Sequence, residues 1–213
     1  MPEPMSDPAA IGDALLRHGT ATLGESGARR MRSRIRPVWS GAEVVGPAVP
    51  VRCTPGDNLG IHVGVTVAPP GSVLVVDVGE ERELGFWGEV LTTAALARGI
   101  AGLVIDGCVR DVDALAAHGF PVFSAGVALT GATKEMPGSV NREVVAGDVE
   151  VEAGDWIVGD VDGVAVVPRD ALDEVLAAAQ ARTEKEAGLF DALRTGKTTI
   201  ELLGLDPSPI IVD

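Results

Sequence analysis

The first half of the chain alternates unbroken apolar runs with stretches of helical period. Segments 72–78 (SVLVVDV) and 101–106 (AGLVID) carry continuous Val/Leu/Ile, the pattern of strands buried on both faces. Shorter apolar runs at 44–51 and 121–124 read as further strands. Between them lie three helical patterns. One covers 58–67, capped by Asp57 and stopped by Pro69-Pro70-Gly71. A second covers 89–98, rich in Leu and Ala and ended by Gly99. A short third covers 111–118 and closes at Gly119. Segment 85–88 reads as a loop. An N-terminal helix is expected through residue 17, with Ser6 or Asp7 as cap and Pro8 in its first turn, ending at Gly19.

The rhythm then changes. Residues 142–167 alternate or run in Val, and are cut by Ala146-Gly147-Asp148, Ala153-Gly154-Asp155 and Asp162-Gly163, which are hairpin signals. From 171 to 187 no Gly or Pro occurs, and Leu172, Val175, Leu176 and Ala179 fall at helical spacing. That helix would span roughly 25 Å at ~1.5 Å per residue. Gly188 and Gly196 punctuate the tail. Strand–helix alternation followed by hairpins predicts a mixed α/β core over 1–169 and a helical arm over 170–213.

Composition narrows this picture. A chain of 213 residues with 46% apolar content can bury one core, and 3% aromatics make that core aliphatic. A net charge of −14 argues against non-specific nucleic-acid binding. The one basic cluster, Arg29, Arg30, Arg32, Arg34 and Arg36, reads as loop or edge strand serving an anion site or an interface. A mean hydropathy of +0.26 in so acidic a chain points to surface covered in an oligomer. No apolar run approaches the ~18 residues of a membrane span. The N-terminal stretch shows neither basic region nor apolar stretch of a signal peptide, so a cytoplasmic location is expected, with Cys53 and Cys108 as free thiols.

The densest chemistry is Asp106-Gly107-Cys108-Val109-Arg110-Asp111, at the end of a buried strand where α/β layers place ligands. Arg110 offers a planar fork to a carboxylate or enolate, and Asp111 offers hard oxygen suited to Mg²⁺ or Mn²⁺. The same residues also read as an ordinary helix cap beside a surface arginine. Gly88-Glu89-Val90-Leu91 opens a helix, where free N–H groups bind anions; Glu89 there is equally an ordinary first-turn acid. His18, His62 and His118 lack zinc spacing, and His62 reads as packed or solvated unless it faces a pocket. Asp160-Val161-Asp162-Gly163 is a turn rather than a calcium loop. The lysines, Lys134, Lys185 and Lys197, have polar surroundings ill suited to Schiff-base chemistry, which leaves a metal as the better electrophile. No nucleophile elbow, Walker loop or Gly-rich dinucleotide or adenosyl loop is present.

Taken in order, Gly56-Asp57-Asn58-Leu59, Gly88-Glu89-Val90-Leu91, Gly102-Leu103-Val104-Ile105-Asp106-Gly107-Cys108-Val109-Arg110-Asp111, Pro121-Val122-Phe123, Gly138-Ser139-Val140-Asn141, Asp162-Gly163-Val164, Val167-Pro168-Arg169, Thr183-Glu184-Lys185-Glu186 and Gly196-Lys197-Thr198-Thr199 resemble the RraA-like family. The chain is most similar to its 4-hydroxy-4-methyl-2-oxoglutarate / 4-carboxy-4-hydroxy-2-oxoadipate aldolases. The resemblance implies a three-layer β/β/α swivelling domain in trimers or hexamers. It implies divalent-metal-dependent cleavage of 4-hydroxy-2-oxo acids to pyruvate, with oxaloacetate decarboxylation as a side activity. Asp111 would be the direct ligand of Mg²⁺ or Mn²⁺. Glu89 would act through water, and so would Glu186 from an adjacent subunit. Gly88, Glu89, Val90 and Leu91 would hold the pyruvate carboxylate, and Arg110 would be the catalytic residue at the pyruvyl oxygen. Cys108 stands where a small Ala is more usual. Some relatives are instead non-enzymatic regulators of an RNA-degrading endonuclease; the long arm with Glu186 favours the enzyme.

Overall fold

A computed structural model describes residues 7–211. In chain order the elements are α1 (Pro8–Glu25), β1 (Arg29–Arg30), β2 (Arg36–Pro37), β3 (Val44–Arg52), α2 (Leu59–Val67), β4 (Val73–Asp77), β5 (Gly85–Trp87), α3 (Glu89–Ala97), β6 (Gly102–Val109), α4 (Val112–Ala117), β7 (Val122–Val127), β8 (Ser139–Val140), β9 (Val144–Ala146), β10 (Val149–Val151), β11 (Trp156–Asp160), β12 (Gly163–Val167), α5 (Leu172–Arg194) and α6 (Thr199–Leu203).

The main sheet runs β1-β12-β11-β3-β4-β6-β7-β2, with β5 added on β6 and β8 on β3; β9 and β10 form a separate hairpin. Strands β3, β4, β6 and β7 pair in parallel, as right-handed crossovers through helices require, and the rest of the sheet is antiparallel. The result is a mixed α/β fold with a curled sheet and a long C-terminal helix.

Alternation along β4 divides the interior. Leu74 and Val76 join Ile61, Val65, Leu91, Ala95 and Leu115 of α2, α3 and α4 on one face. Val73 and Val75 join Val144, Ala146, Val149 and Val151 of the hairpin on the other. A third cluster packs α1 and the first half of α5 onto β11 and β12, through Leu15, Leu23, Trp156, Val158, Val175 and Ala179. The apolar stripe of α5 thus covers α1 and the sheet of its own chain. Beyond it Phe190, Ile200, Leu203 and Leu205 are exposed.

Several elements differ from the sequence reading. Gly19 breaks α1 (φ 73°, ψ 162°) but does not end it: Asp160 accepts from Thr20 N (2.8 Å) and Thr20 Oγ1 (2.6 Å), and the helix resumes to Glu25. Segment 85–88 is strand β5 up to Trp87, recruited because β6 extends past Asp106 to Val109 and offers an open edge. The turn at Ala153-Gly154-Asp155 joins the small hairpin to the main sheet and closes no hairpin of its own. Helix α5 runs through Gly188 and stops at Gly196. Of the two candidate caps, Asp7 Oδ1 accepts from Ala9 N (3.1 Å), and Ser6 lies outside the described residues.

The arginine cluster serves neither an anion site nor an interface in this chain. Arg34 forms a fork on buried Asp106 (2.9 and 2.7 Å) and also reaches Asp148 (2.6 Å); Arg32 binds the same Asp148, and Arg36 donates to Asp162 O. Both cysteines are free and buried, and burial pushes the Cys53 thiol up to about 11. Among the described residues no helix is long and apolar enough to cross a membrane.

Candidate functional site at the N-termini of three helices

Where the chain leaves β5 and β6, it enters α3 and α4, and the start of α2 lies beside them. A cavity of about 200 Å³ opens there, lined by Asn58, His62, Gly85, Phe86, Trp87, Gly88, Val90, Leu91, Arg110, Asp111, Gly131, Ala132 and Lys134. Its volume is below the ~300–1,000 Å³ of drug-sized pockets, which restricts it to a small metabolite. Trp87 anchors its floor: the indole stacks on Phe120 (centroids 5.8 Å apart) and donates to Thr92 Oγ1 (2.7 Å).

Asp111 occupies the cap position of α4 but does not cap it. Its backbone is left-handed (φ 59°, ψ 37°), a conformation Asp tolerates better than most residues. The side chain turns instead to α3, where Oδ2 accepts from Glu89 N–H (3.0 Å). Oδ2 also lies 3.8 Å from Arg110 Nε. Gly88 makes this approach possible, since a Cβ there would collide with Asp111 Oδ2 and crowd Arg110 Cγ. The ordinary-cap reading of Asp111 therefore fails on geometry.

An α-helix leaves its first N–H groups without intrahelical acceptors. In α3 that of Glu89 goes to Asp111, and Val90 and Leu91 line the cavity with theirs. Arg110 is fixed at its backbone by N–H donation to Trp87 O (2.9 Å). Its side chain passes the Cα of Gly85, Gly88 and Gly131, where any Cβ would meet it. The structure thus brings Gly88, Val90, Leu91, Arg110 and Asp111 together. The Glu89 carboxylate does not line the cavity; Oε1 lies 3.2 Å from His118 Nε2. Glu186 is also absent from it, paired within its own helix to Arg182 (2.9 Å), which in turn binds Glu25.

Three lining residues were not singled out by their sequence pattern. Asn58 and His62 stand one helical turn apart at the start of α2, and Lys134 lies on the loop after β7. Asn58 is a second cap residue that does not cap: Asp57 Oδ1 takes Leu59 N–H (2.8 Å), and Asn58 Nδ2 donates to Phe86 O (2.8 Å). Among the described residues, Asn58 Oδ1 and His62 Nε2 are buried without a hydrogen-bond partner. Burial and the nearby charge of Lys134 hold the His62 pKa below its ordinary value. Its i, i+4 spacing from Asn58 was the available signal.

The donor set bears on which metals would fit. No three His, Cys, Asp or Glu side chains gather as ligands among the described residues, so a protein-only transition-metal cage is not built here. One accessible carboxylate with a free oxygen suits a hard ion that keeps most of its waters, the habit of Mg²⁺.

Comparison with known proteins agrees with the fold and site. Residues 9–166 match the RraA-like family model described as Aldolase/RraA, and the chain belongs to that family. A relative from Halalkalibacterium halodurans, named "Putative 4-hydroxy-4-methyl-2-oxoglutarate aldolase", is 37% identical over 150 residues, covering 70% of this chain and 71% of its own. An uncharacterized protein of Pseudomonas syringae superposes with a TM-score of 0.78 at 28% identity, over 92% of this chain and 97% of that one. A Streptomyces coelicolor protein, described as an unusual member of the RNase ES inhibitor RraA protein family, superposes with a TM-score of 0.75. It is 29% identical, over 86% of this chain and 98% of that one.

Proposed function

We propose that this chain is a divalent-metal-dependent lyase that cleaves 4-hydroxy-4-methyl-2-oxoglutarate-type acids to pyruvate, and decarboxylates oxaloacetate as a side reaction. The observation that carries the reading is Asp111: it is turned away from its own helix and held beside Arg110 at the N-terminus of α3. The family relatives named as aldolases support it.

The N–H groups of Val90 and Leu91, with the positive end of the α3 dipole, hold the pyruvyl carboxylate. Arg110 donates to the 2-oxo oxygen and stabilises the negative charge that gathers there as the C–C bond breaks. Asp111 is the direct protein ligand of Mg²⁺ or Mn²⁺, with its unused oxygen available because Glu89 N–H fixes the other. When bound, the ion supplies Lewis-acid withdrawal of electrons from the pyruvyl unit. The Glu89 carboxylate, beside His118, orients water on the outer side of that ligand.

The swivelling β/β/α arrangement and its trimers or hexamers belong to the same reading. So does the role of the arm, in which residues 170–213 reach a neighbouring subunit and Glu186 approaches that neighbour's water shell. The exposed apolar residues of the outer arm support a covering partner.

Pyruvate release from a panel of 4-hydroxy-2-oxo acids and oxaloacetate, with Mg²⁺, Mn²⁺ or chelator, tests the proposal. Metal-stimulated release abolished by chelator is expected. No release from any member, together with inhibition of a ribonuclease, would establish the regulator instead.

A further inference from the structure

Three polar groups of the cavity play no part in holding the pyruvyl unit, and their placement follows a common logic. Asn58 is 5% exposed. Its amide orientation is fixed, because a flipped amide would set its oxygen against Phe86 O. Oδ1 is therefore an acceptor aimed at nothing in the protein. It calls for a donor such as a hydroxyl. His62 Nε2, one turn on, is likewise buried and unpartnered. Lys134 completes the group with a permanent charge, its Nζ lying 3.3 Å from Ala132 O.

The loop carrying Lys134 is pinned on both sides of that residue. Asp57 Oδ2 accepts from Thr133 Oγ1 (2.7 Å) and from Glu135 N–H (2.6 Å). Burial raises the Asp57 pKa, but these bonds and that of Leu59 N–H outweigh it and hold it at about 2. The clamp is ionised at any working pH. The lining thus carries two permanent cations, Arg110 and Lys134, in a chain of net charge −14. One anionic group on the pyruvyl side accounts for Arg110 and the α3 N-terminus, and Lys134 is left for a second.

We infer that Asn58, His62 and Lys134 form a second subsite that binds the far hydroxyl and carboxylate of a dicarboxylic 4-hydroxy-2-oxo acid, and so select against monocarboxylic analogues. This rests on the proposed function and deepens it. The hydroxyl donates to Asn58 Oδ1. The far carboxylate accepts from Lys134 Nζ and from the Nε2–H tautomer of His62. A substrate without these groups leaves buried polar atoms unpaired, which is the strongest source of discrimination a small pocket has.

The test compares two unreactive acids of equal chain length, 2-oxoglutarate and 2-oxopentanoate, by calorimetry in Mg²⁺. They differ at the far carboxylate. The wild type is expected to prefer 2-oxoglutarate by at least ~10-fold, the low end for a charged hydrogen bond. Lys134→Met should erase the preference and leave 2-oxopentanoate affinity unchanged, and Lys134→Arg should restore part of it. Lys134 is exposed and its loop is held through Asp57, so these variants keep the fold. Equal binding of the two acids by the wild type, or an intact preference in Lys134→Met, would overturn the subsite and leave the pyruvyl site standing. If pyruvate itself also fails to bind, the proposed function falls and the subsite with it.

Discussion

Asp106 and Asp111 belong to one stretch of chain, the end of β6 and the turn that follows, yet they are treated in opposite ways. Asp106 is 3% exposed, and its carboxylate takes the Arg34 fork, Gly147 N–H (3.0 Å) and Arg82 Nε (3.1 Å). The Asp111 side chain is 43% exposed and takes one N–H. A carboxylate whose lone pairs are all used holds structure. One that is held at a single oxygen in an uncommon backbone conformation has capacity left for a ligand. The same contrast separates Asp57, fully engaged, from its neighbour Asn58, whose oxygen is left over.

The largest effect that would break this contrast is on turnover. Asp111→Ala should lower the rate of pyruvate release by ~1,000-fold or more, the loss of several kcal/mol of Lewis-acid stabilisation. Its thermal midpoint should hold, because Asp111 caps nothing. An active Asp111→Ala enzyme would reduce Asp111 to a surface residue.

Next is Arg110→Lys, which keeps charge and loses the planar fork. A ~100-fold fall in rate is expected, comparable to losing one oxyanion donor. A rate near that of the wild type would make Arg110 structural.

Asp106→Ala should do the reverse. It leaves Arg34 with Asp148 alone and should cost ~2–3 kcal/mol in denaturant unfolding, less than a fully buried pair because Arg34 is partly solvated. Activity per folded molecule should stay unchanged. The acid limb of stability sharpens the point. Burial raises the Asp106 pKa, but Arg34, Gly147 N–H and Arg82 outweigh it and depress it, as the bonds to Asp57 depress that group to about 2 from 3.8. Both contribute stability that is complete above the unfolded pKa and is lost as pH falls through the folded one. The wild type should therefore lose stability below about pH 4, and Asp106→Ala should show a shallower loss there in acid titrations followed by circular dichroism.

The smallest expected effect concerns Glu186. Its alanine variant should lose ~10-fold in rate, as positioning groups around metal ligands do. Mixing it with inactive Asp111→Ala under subunit exchange should raise activity above the sum of the two. Full activity of Glu186→Ala alone would confine the site to one chain.

The parallel core was legible because β4 and β6 carry unbroken Val, Leu and Ile and because Gly and Pro mark the ends of α2, α3 and α4. Gly88, Val90, Leu91, Arg110 and Asp111 were legible as a set because they follow directly on strand ends. Strand β5 was hidden by its length: Gly-Phe-Trp carries no period, and its pairing depends on how far β6 extends. The continuation of α1 beyond Gly19 depends on Asp160, far away in sequence. The pairing of Arg34 with Asp106 likewise joins segments that sequence pattern cannot relate, so a basic cluster that reads as a binding surface proves to be internal. Lys134 sits among polar neighbours in sequence, and its approach to His62 is a product of the fold.

The most direct test of the central claim is Mn²⁺ binding followed by electron paramagnetic resonance, with wild type, Asp111→Ala and Asp106→Ala compared in the presence of pyruvate. Asp111 as the metal ligand predicts one Mn²⁺ per chain in the wild type and in folded Asp106→Ala, and none in Asp111→Ala at the same concentrations. Undiminished Mn²⁺ binding by Asp111→Ala would contradict it.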